Sequence, residues 1–363
     1  MQCKICNAKF AHPLDINQKT MYHSIMGNHN FQSIVNKDLA GTQKKQGGKR
    51  PTGLLTRLKK EKYLQIMALM GLIWMLIFNY LPMYGLIIAF KENFKVSQNM
   101  FSWNFLTSSW ASSYGFKHFI EFVKDPAFFN TIYNTLGISL LKLLIGFPLP
   151  IVFALFLNEL RSRRFKRTVQ TISYLPHFLS WVVLGGILIT WLSDTGFLNE
   201  VLVKMGFIEK GIVFLAYPQY FWAIVIISDI WKTLGWSAII YLAVIAGIDQ
   251  DMYEAAELDG ASRFRKIWSI TLPCMMGTIT ILFILAIGGL LNSNFDQIFV
   301  LWNRVNEERS TVIDIYTYNV ALRSSNVRLS YASAIGFFKS VVAFCLLFGA
   351  NKVTKKLNDV SLF

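Results

Sequence analysis

Six long apolar segments constrain this chain more than any other feature. A helix that crosses a bilayer needs roughly 20 apolar residues at 1.5 Å per residue. The segments run approximately over 64–90, 131–157, 171–192, 220–247, 277–300 and 331–350. Acidic and basic residues are nearly absent inside them, whereas Gly, Pro, Ser and Trp occur, as transmembrane helices allow. The sequence therefore predicts an all-α polytopic membrane protein with six transmembrane helices.

Composition supports this class. Of 363 residues, 53% are hydrophobic and 16% are charged, whereas soluble domains carry about 25% charged residues. The first 60 residues are polar and basic rather than a short apolar core, so we predict no cleavable signal peptide. The first apolar segment is therefore expected to remain as a transmembrane helix.

Orientation follows from the distribution of Lys and Arg between the segments. The connections at 1–63, 158–170, 248–272 and 351–363 hold 23 basic residues, and the alternate connections hold 10. The cluster RSRRFKR at 161–167 is the sharpest single signal. Because cytoplasmic loops carry such an excess of basic residues, both termini are predicted to be cytoplasmic.

A compact charged segment, EAAELDGASRFRKIW at 254–268, lies between the fourth and fifth apolar segments. Asp249 or Asp251 can cap a helix whose first turns contain acids. Gly260 can end this helix in a left-handed conformation. A second short helix is expected over 261–270, before Pro273 opens the fifth span. The predicted element is a cytoplasmic elbow, although a solvated loop helix would also explain the mixed charge.

The string EAAELDGASRFRKIWSITLP resembles the EAA loop of type I ABC-importer permeases, in which coupling helices dock on an ATPase subunit. The resemblance implies that role for Glu254, Ala255, Ala256, Asp259, Gly260, Ala261, Arg263 and Pro273. Ile270 and Leu272 complete the I-x-L-P ending of the pattern. One departure is Gly277, where many relatives have a second proline.

From about residue 63 to the end, the chain is similar to the LplB-type, MalF/MalG-like branch of maltose-class permeases. Strings such as YLPMYGLIIAFK, SDIWKTLGWSAIIYLAVIAGID and NFDQIFVL carry this likeness. It implies a MetI-like permease fold in the bacterial cytoplasmic membrane. It also implies ATP-driven import of a carbohydrate, either an oligosaccharide or a polysaccharide fragment.

The resemblance further implies the partners. They are two ABC ATPase subunits, a second permease subunit that is a related but different chain, an extracellular solute-binding lipoprotein and the carbohydrate itself. The sequence contains no G-x-x-x-x-G-K-[ST] phosphate loop. We therefore expect a chain that is not an enzyme, has no catalytic residue and binds no cofactor, with ATP and Mg²⁺ held by the partner subunits.

The predicted organisation has three parts. Residues 1–62 form a flexible, basic cytoplasmic extension. Residues 63–350 form the transmembrane permease domain, with cytoplasmic coupling helices at 249–272. Residues 351–363 form a cytoplasmic tail.

Charged residues inside the apolar segments require a reason, because each costs at least about 2.5 kcal/mol near the bilayer centre. Asp229 and Lys232 are three residues apart on one helical face and can pair. Lys142 is expected to have a buried partner, with Asp229 and Asp296 as candidates. Two interpretations remain open: an ion pair that holds the helices together, or a lining of the translocation path that binds sugar hydroxyls.

The string LNSNFDQIF at 291–299 adds amides and a carboxylate, which suit the directional hydrogen bonds of a sugar. Trp231, Trp236 and Tyr241 are aromatic candidates for stacking, although packing is the commoner role of an aromatic residue in a span. The predicted substrate path comprises Lys142, Asp229, Lys232, Trp236, Asn292, Asn294, Asp296 and Gln297.

The first 50 residues lie outside the resemblance. Cys3, Cys6, His23 and His29 form an imperfect zinc pattern, because the central gap of sixteen residues exceeds the usual 12–15. A disordered basic tail near anionic lipid headgroups is the alternative interpretation.

Three other functions were weighed. An ion-coupled secondary transporter for a polar solute would normally show more spans and repeated halves. A membrane enzyme would have to use Asp229, Lys142 or His177, and no catalytic constellation surrounds them in the sequence. The formal charge of +15 would suit nucleic acid, but basic cytoplasmic loops explain it, and no nucleic-acid partner is expected.

Overall fold

A computed structural model describes residues 62–92, 94, 102, 105 and 107–358 of the chain. Its α-helices are α1 (Lys62–Met75), α2 (Leu81–Met83), α3 (Lys117–Lys124), α4 (Phe128–Leu141), α5 (Pro148–Glu159), α6 (Arg163–Tyr174), α7 (Trp181–Trp191), α8 (Phe197–Lys204), α9 (Pro218–Ala246), α10 (Gln250–Leu258), α11 (Arg263–Lys266), α12 (Leu272–Gly288), α13 (Phe295–Leu301), α14 (Glu307–Ser310), α15 (Ile313–Tyr318) and α16 (Leu329–Asn358). The π-helical turns are Leu76–Tyr80, Lys142–Gly146, Ile267–Thr271 and Asn319–Arg323, and the 3₁₀ turns are Tyr84–Phe90, Leu175–Phe178 and Phe214–Ala216. An isolated antiparallel bridge joins Lys91 and Trp110.

The chain divides into two compact units, Met1–Met83 and Tyr84–Phe363. In the first unit, α1 has no buried side chain. In the second unit, three apolar clusters form the core. One is built around Phe221 and Ile298, another around Phe122 and Tyr331, and the third around Ala238 and Met275.

The apolar segments fold as membrane-crossing helices. Within the described residues, five stretches are long and apolar enough to span a bilayer: Lys62–Phe90, Phe128–Glu159, Pro218–Ala246, Arg263–Gly288 and Leu329–Lys356. A sixth span is formed if the bent pair Arg163–Phe178 and Trp181–Trp191 is taken as one. The predicted all-α architecture is confirmed, with one span broken.

The third apolar segment, predicted over 171–192, is not one continuous helix. Its two halves meet at an angle of 99°. Pro176 lies in the 3₁₀ turn between them and has no backbone N–H for a helical hydrogen bond. Ser180 then starts α7, since its hydroxyl accepts a hydrogen bond from the N–H of Val183 at 3.2 Å. A proline followed by a helix-capping serine therefore breaks the span.

The fifth span lies earlier in the chain than the predicted range of 277–300. Its helix begins at Arg263 and ends at Gly288. The π-helical turn Ile267–Thr271 comes directly before Pro273. Wider turns of this kind let a helix pass a residue that lacks an N–H. Consequently the second arm of the elbow is not a separate helix over 261–270 but the start of the span itself.

Asp125, just before α4, ties the non-cytoplasmic ends of several helices together. Its carboxylate accepts hydrogen bonds from Tyr316 Oη at 2.6 Å, Tyr331 Oη at 3.2 Å and the N–H of Ala127 at 2.8 Å. Burial acts to raise the pKa of Asp125, but these bonds and the nearby Arg328 outweigh it, so the pKa lies below its ordinary value. Burial and the bond to Asp125 raise the pKa of Tyr316 to about 12.

Gly235 permits the close approach of α6 to α9. A Cβ atom at this position would lie 2.3 Å from the carbonyl oxygen of Ser173. We expect Gly235→Ala to destabilise the protein by about 1–3 kcal/mol, because overpacking forces backbone to move. Thermal unfolding in detergent measures the change. The matched control is Gly277→Ala, where a Cβ has nothing within 4 Å; equal melting temperatures for the two variants would contradict the close packing.

Candidate functional site

The charged segment folds as the elbow that its sequence predicts. Asp249 caps α10, since its side chain accepts a hydrogen bond from the N–H of Asp251 at 3.1 Å. Gly247, Ile248 and Asp249 are the whole connection between α9 and α10. This short link leaves α10 little freedom to move independently of the span before it.

Gly260 ends α10 in a Schellman motif. It has a φ of +72°, the left-handed region that glycine adopts most readily. Its N–H donates to the carbonyl of Glu257 at 3.0 Å, and the N–H of Ala261 donates to the carbonyl of Ala256 at 2.9 Å. These are the two hydrogen bonds that define the motif, so the bend angle is fixed by local chemistry.

Two further contacts lock the elbow. Lys266 Nζ donates to Glu257 Oε1 at 2.5 Å across the bend, and this bond lowers the pKa of Glu257. Tyr253 and Thr271 share a hydrogen bond of 2.8 Å between their hydroxyls. Burial raises the pKa of Tyr253, so this phenol stays neutral and can bond in this way. The acidic and basic arms of the elbow therefore move as one body with the fifth span.

The outer surface of the elbow combines small, charged and apolar side chains. Glu254, Ala255, Asp259, Gly260, Arg263 and Pro273 are exposed, while Ala256 and Ala261 are half-buried. Leu258 is 90% exposed, Phe264 82% and Trp268 72%. These three apolar residues were not among the predicted coupling residues. The signal that could have identified them is the presence of apolar side chains within a charged loop.

A second polar site lies among the spans, around Lys142. Lys142 begins the π-helical turn between α4 and α5. Its Nζ lies 3.3 Å from Asp229 Oδ1 and donates to Gln297 Oε1 at 2.7 Å. Asn294 Nδ2 donates to the same Asp229 oxygen at 3.3 Å. Of the two candidate partners for Lys142, Asp229 is the one that it contacts, and both side chains are half-buried.

Gln297 fixes this polar cluster to the helix backbone. It is fully buried, and its Nε2 donates to the carbonyl of Val225 at 2.7 Å and to Ser228 Oγ at 2.9 Å. Nearby, the hydroxyls of Ser139 and Ser293 lie 3.4 Å apart. The three serines were missed by the sequence reasoning, because a serine in a span has no distinctive pattern of its own.

A cavity of about 230 Å³ adjoins the cluster. Its lining includes Ser139, Lys142, Phe147 and Asn292. Hydroxyl, ammonium and amide groups next to an aromatic ring are the groups that bind a sugar: the first three bond hydroxyls, and the ring contacts a sugar face. Asp296 is exposed and lies outside the hydrogen-bonded cluster.

Lys232 does not pair with Asp229, and this prediction is wrong. Its ammonium instead donates to backbone carbonyls at the break in the third span, those of Pro176 at 3.3 Å, His177 at 2.8 Å and Leu179. Carbonyls at the end of a helix point away from it and can accept hydrogen bonds from a cation; that of Pro176 also accepts the N–H of Leu179 at 3.2 Å. Lys232 therefore stabilises the bend between the two halves of the third span.

The three aromatic candidates make different contacts, and only some of them line a cavity. Trp236 stacks on His177, with ring centroids 4.3 Å apart, and lines a second cavity of about 340 Å³. Trp231 is 6.3 Å from Trp191 between centroids. Tyr241 is buried in the core cluster around Ala238. The imperfect zinc pattern of Cys3, Cys6, His23 and His29 lies outside the described residues.

Comparison with known proteins finds one matching family and several relatives. The family described as binding-protein-dependent transport system inner membrane component matches residues 146–358. Protein LplB of Bacillus subtilis (strain 168) is 40% identical over 310 residues, which cover 85% of this chain and 93% of that protein. The polygalacturonan/rhamnogalacturonan transport system permease protein YteP of the same organism is 40% identical over 321 residues, covering 88% and 95%.

Solved structures give the same fold. The crystal structure of a bacterial ABC transporter involved in the import of the acidic polysaccharide alginate matches with a TM-score of 0.74 and 37% identity. The match covers 85% of this chain and 100% of that chain. A second structure holds the alginate transporter with its alginate-pentasaccharide-bound periplasmic protein, with a TM-score of 0.75 and 36% identity over 86% of this chain and 100% of that one. The chain therefore belongs to the family of binding-protein-dependent transport system inner membrane components, the multi-pass permease subunits of ABC importers.

Proposed function

We propose that this chain is the permease subunit of an ATP-driven importer that moves a carbohydrate across the bacterial cytoplasmic membrane. The observation that carries the proposal is the elbow at Gly260. It is locally rigid, it presents exposed small and apolar side chains, and it continues without interruption into the fifth span. Such an element transmits a movement of a cytoplasmic partner to the membrane-spanning helices.

The mechanism follows from how the elbow is attached. ATP binding would close two partner ATPase subunits, and the clefts that hold α10 would move with them. Because α10 is joined to α9 by three residues and α11 is continuous with α12, the two spans would swing together. Switching from an inward-facing to an outward-facing arrangement is then a rigid-body transition between two states.

The carbohydrate class rests on the polar cluster and on the relatives. The cavity beside Lys142 offers hydroxyl, amide and aromatic groups to a sugar. One relative is named as the permease protein of a polygalacturonan/rhamnogalacturonan transport system, and a structural neighbour is a transporter involved in the import of alginate. An oligosaccharide or polysaccharide fragment is the proposed substrate.

The partners and cofactors complete the proposal. Two ABC ATPase subunits hold ATP and Mg²⁺, and this chain holds neither. A second permease subunit, related but different, forms the other half of the path. An extracellular solute-binding lipoprotein delivers the sugar.

Uptake by the assembled complex tests this function. The complex is reconstituted into proteoliposomes with ATP enclosed, and entry of labelled oligogalacturonides and of neutral oligosaccharides is measured with the binding protein outside. We expect uptake of one of these classes with ATP and none with a non-hydrolysable analogue. Uptake that continues without ATP and stops when ion gradients are dissipated would instead establish an ion-coupled transporter.

A further inference from the structure

The helix α6 carries an unusual concentration of positive charge. Arg161, Arg163, Arg164, Lys166 and Arg167 lie within seven residues around its first turns. None of them forms an ion pair with another residue in the described part of the chain. All except Lys166, which is half-buried, are exposed. The charge is therefore available to a partner.

This distribution of charge does not stabilise α6. The N-terminal end of a helix carries partial positive charge, so cations in the first turn are unfavourable there and acids are favourable. The first turn of α6 contains no acid, whereas the first turns of α8 and α10 contain Glu200 and Asp251. A charge pattern that costs helix stability calls for a partner of opposite charge.

Different sides of α6 have different surroundings. At 100° per residue, Val169 and Ser173 share the side that packs on α9, where Ser173 meets Gly235. Phe165 and Ile172 share an adjacent side and are 57% and 65% exposed. Arg163, Arg164 and Arg167 occupy the remaining circumference, and Arg164 lies nearest to this apolar strip.

Ile172, at the far end of the apolar strip, lies deeper than the arginines. The basic end of α6 follows Glu159 at the end of α5, and Glu159 lies close enough to influence the pKa of Tyr253 in the elbow. The other end reaches Gly235, eleven residues before the end of α9, which is roughly 16 Å further into the helix bundle at 1.5 Å per residue. The arginines and Phe165 lie at the cytoplasmic boundary, and the exposed Ile172 lies deeper along the helix.

We infer that the exposed surface of α6 binds an anionic phospholipid of the cytoplasmic leaflet. The phosphate group lies among Arg163, Arg164 and Arg167, and an acyl chain runs along the deeper Ile172. The order of charge and apolar surface matches that of a phospholipid, and basic residues near the membrane surface attract anionic headgroups. The site is independent of the elbow and of the polar cluster, so it goes beyond the proposed transport function.

Native mass spectrometry of the full chain in detergent tests the site. Dioleoyl-phosphatidylglycerol and dioleoyl-phosphatidylcholine are titrated separately. The test variant is Arg163→Gln/Arg164→Gln/Arg167→Gln. The matched control, Lys352→Gln/Lys355→Gln/Lys356→Gln, removes three exposed charges near the end of α16. We expect the wild type to prefer phosphatidylglycerol, the test variant to bind it about tenfold more weakly, and the control to stay within twofold.

Further variants separate charge, acyl chain and folding. Replacing the three arginines with lysine should preserve binding, and Ile172→Asn should weaken it, while inorganic phosphate should not compete. If the glutamine variant does not fold, binding to the wild type must still weaken about tenfold between low and high salt. Equal affinity for both lipids, an equal loss in the control, or loss of ATPase association with lipid binding unchanged would overturn the inference.

Discussion

Removing the charge of Lys142 alone is expected to destabilise the protein by about 1–3 kcal/mol. Lys142→Met leaves the Asp229 carboxylate without its 3.3 Å cation and the Gln297 oxygen without its 2.7 Å donor, and leaving such polar groups without a partner carries a cost of that size. The double variant Lys142→Met/Asp229→Asn removes both charges and should recover most of the lost stability. Thermal unfolding in detergent gives the comparison.

The same double variant distinguishes the two roles left open for the pair. If the pair lines the sugar path, the stable double variant should transport less than about a tenth as much as the wild type. Lys339 and Asp314, whose charged atoms are 2.5 Å apart, supply a matched control outside the cluster: Lys339→Met/Asp314→Asn should keep its transport. A Lys142→Met/Asp229→Asn variant with both normal stability and normal uptake would limit the pair to a structural role.

Gly260 is expected to be the most sensitive position in the elbow. A side chain here meets nothing within 4 Å, so the effect of substitution comes from the backbone φ of +72°. Gly260→Val should strain or unfold the bend and abolish ATP-driven uptake, whereas Gly260→Asn should retain much of it, because Asn tolerates the left-handed region. Uptake and ATPase association in proteoliposomes are the measurements.

A charge change in the same element tests docking rather than bending. Glu254→Lys alters an exposed side chain and leaves the Schellman hydrogen bonds in place. We expect normal membrane insertion and stability with uptake strongly reduced. Full uptake together with full ATPase association in both Gly260→Val and Glu254→Lys would show that the elbow does not couple ATP hydrolysis to transport.

Local features were predictable because their causes are local. The length of each apolar segment, the excess of basic residues at 161–167, the Asp249 cap and the left-handed Gly260 each depend on neighbours in sequence. The elbow was therefore predicted almost to the residue. Its second arm was not, because a π-helical turn allowed the helix to continue through Pro273.

Partners across the bundle depended on tertiary structure. Asp229 and Lys232 share one helix, and their spacing predicted an ion pair. The approach of α6 to Gly235 instead brought the backbone carbonyls of the broken span to Lys232. The packing of α9 brought Asp229 to Lys142, which lies 87 positions earlier in the chain. Sequence spacing determines which residues share a helix face. Which group that face meets depends on how closely and at what rotation the helices pack.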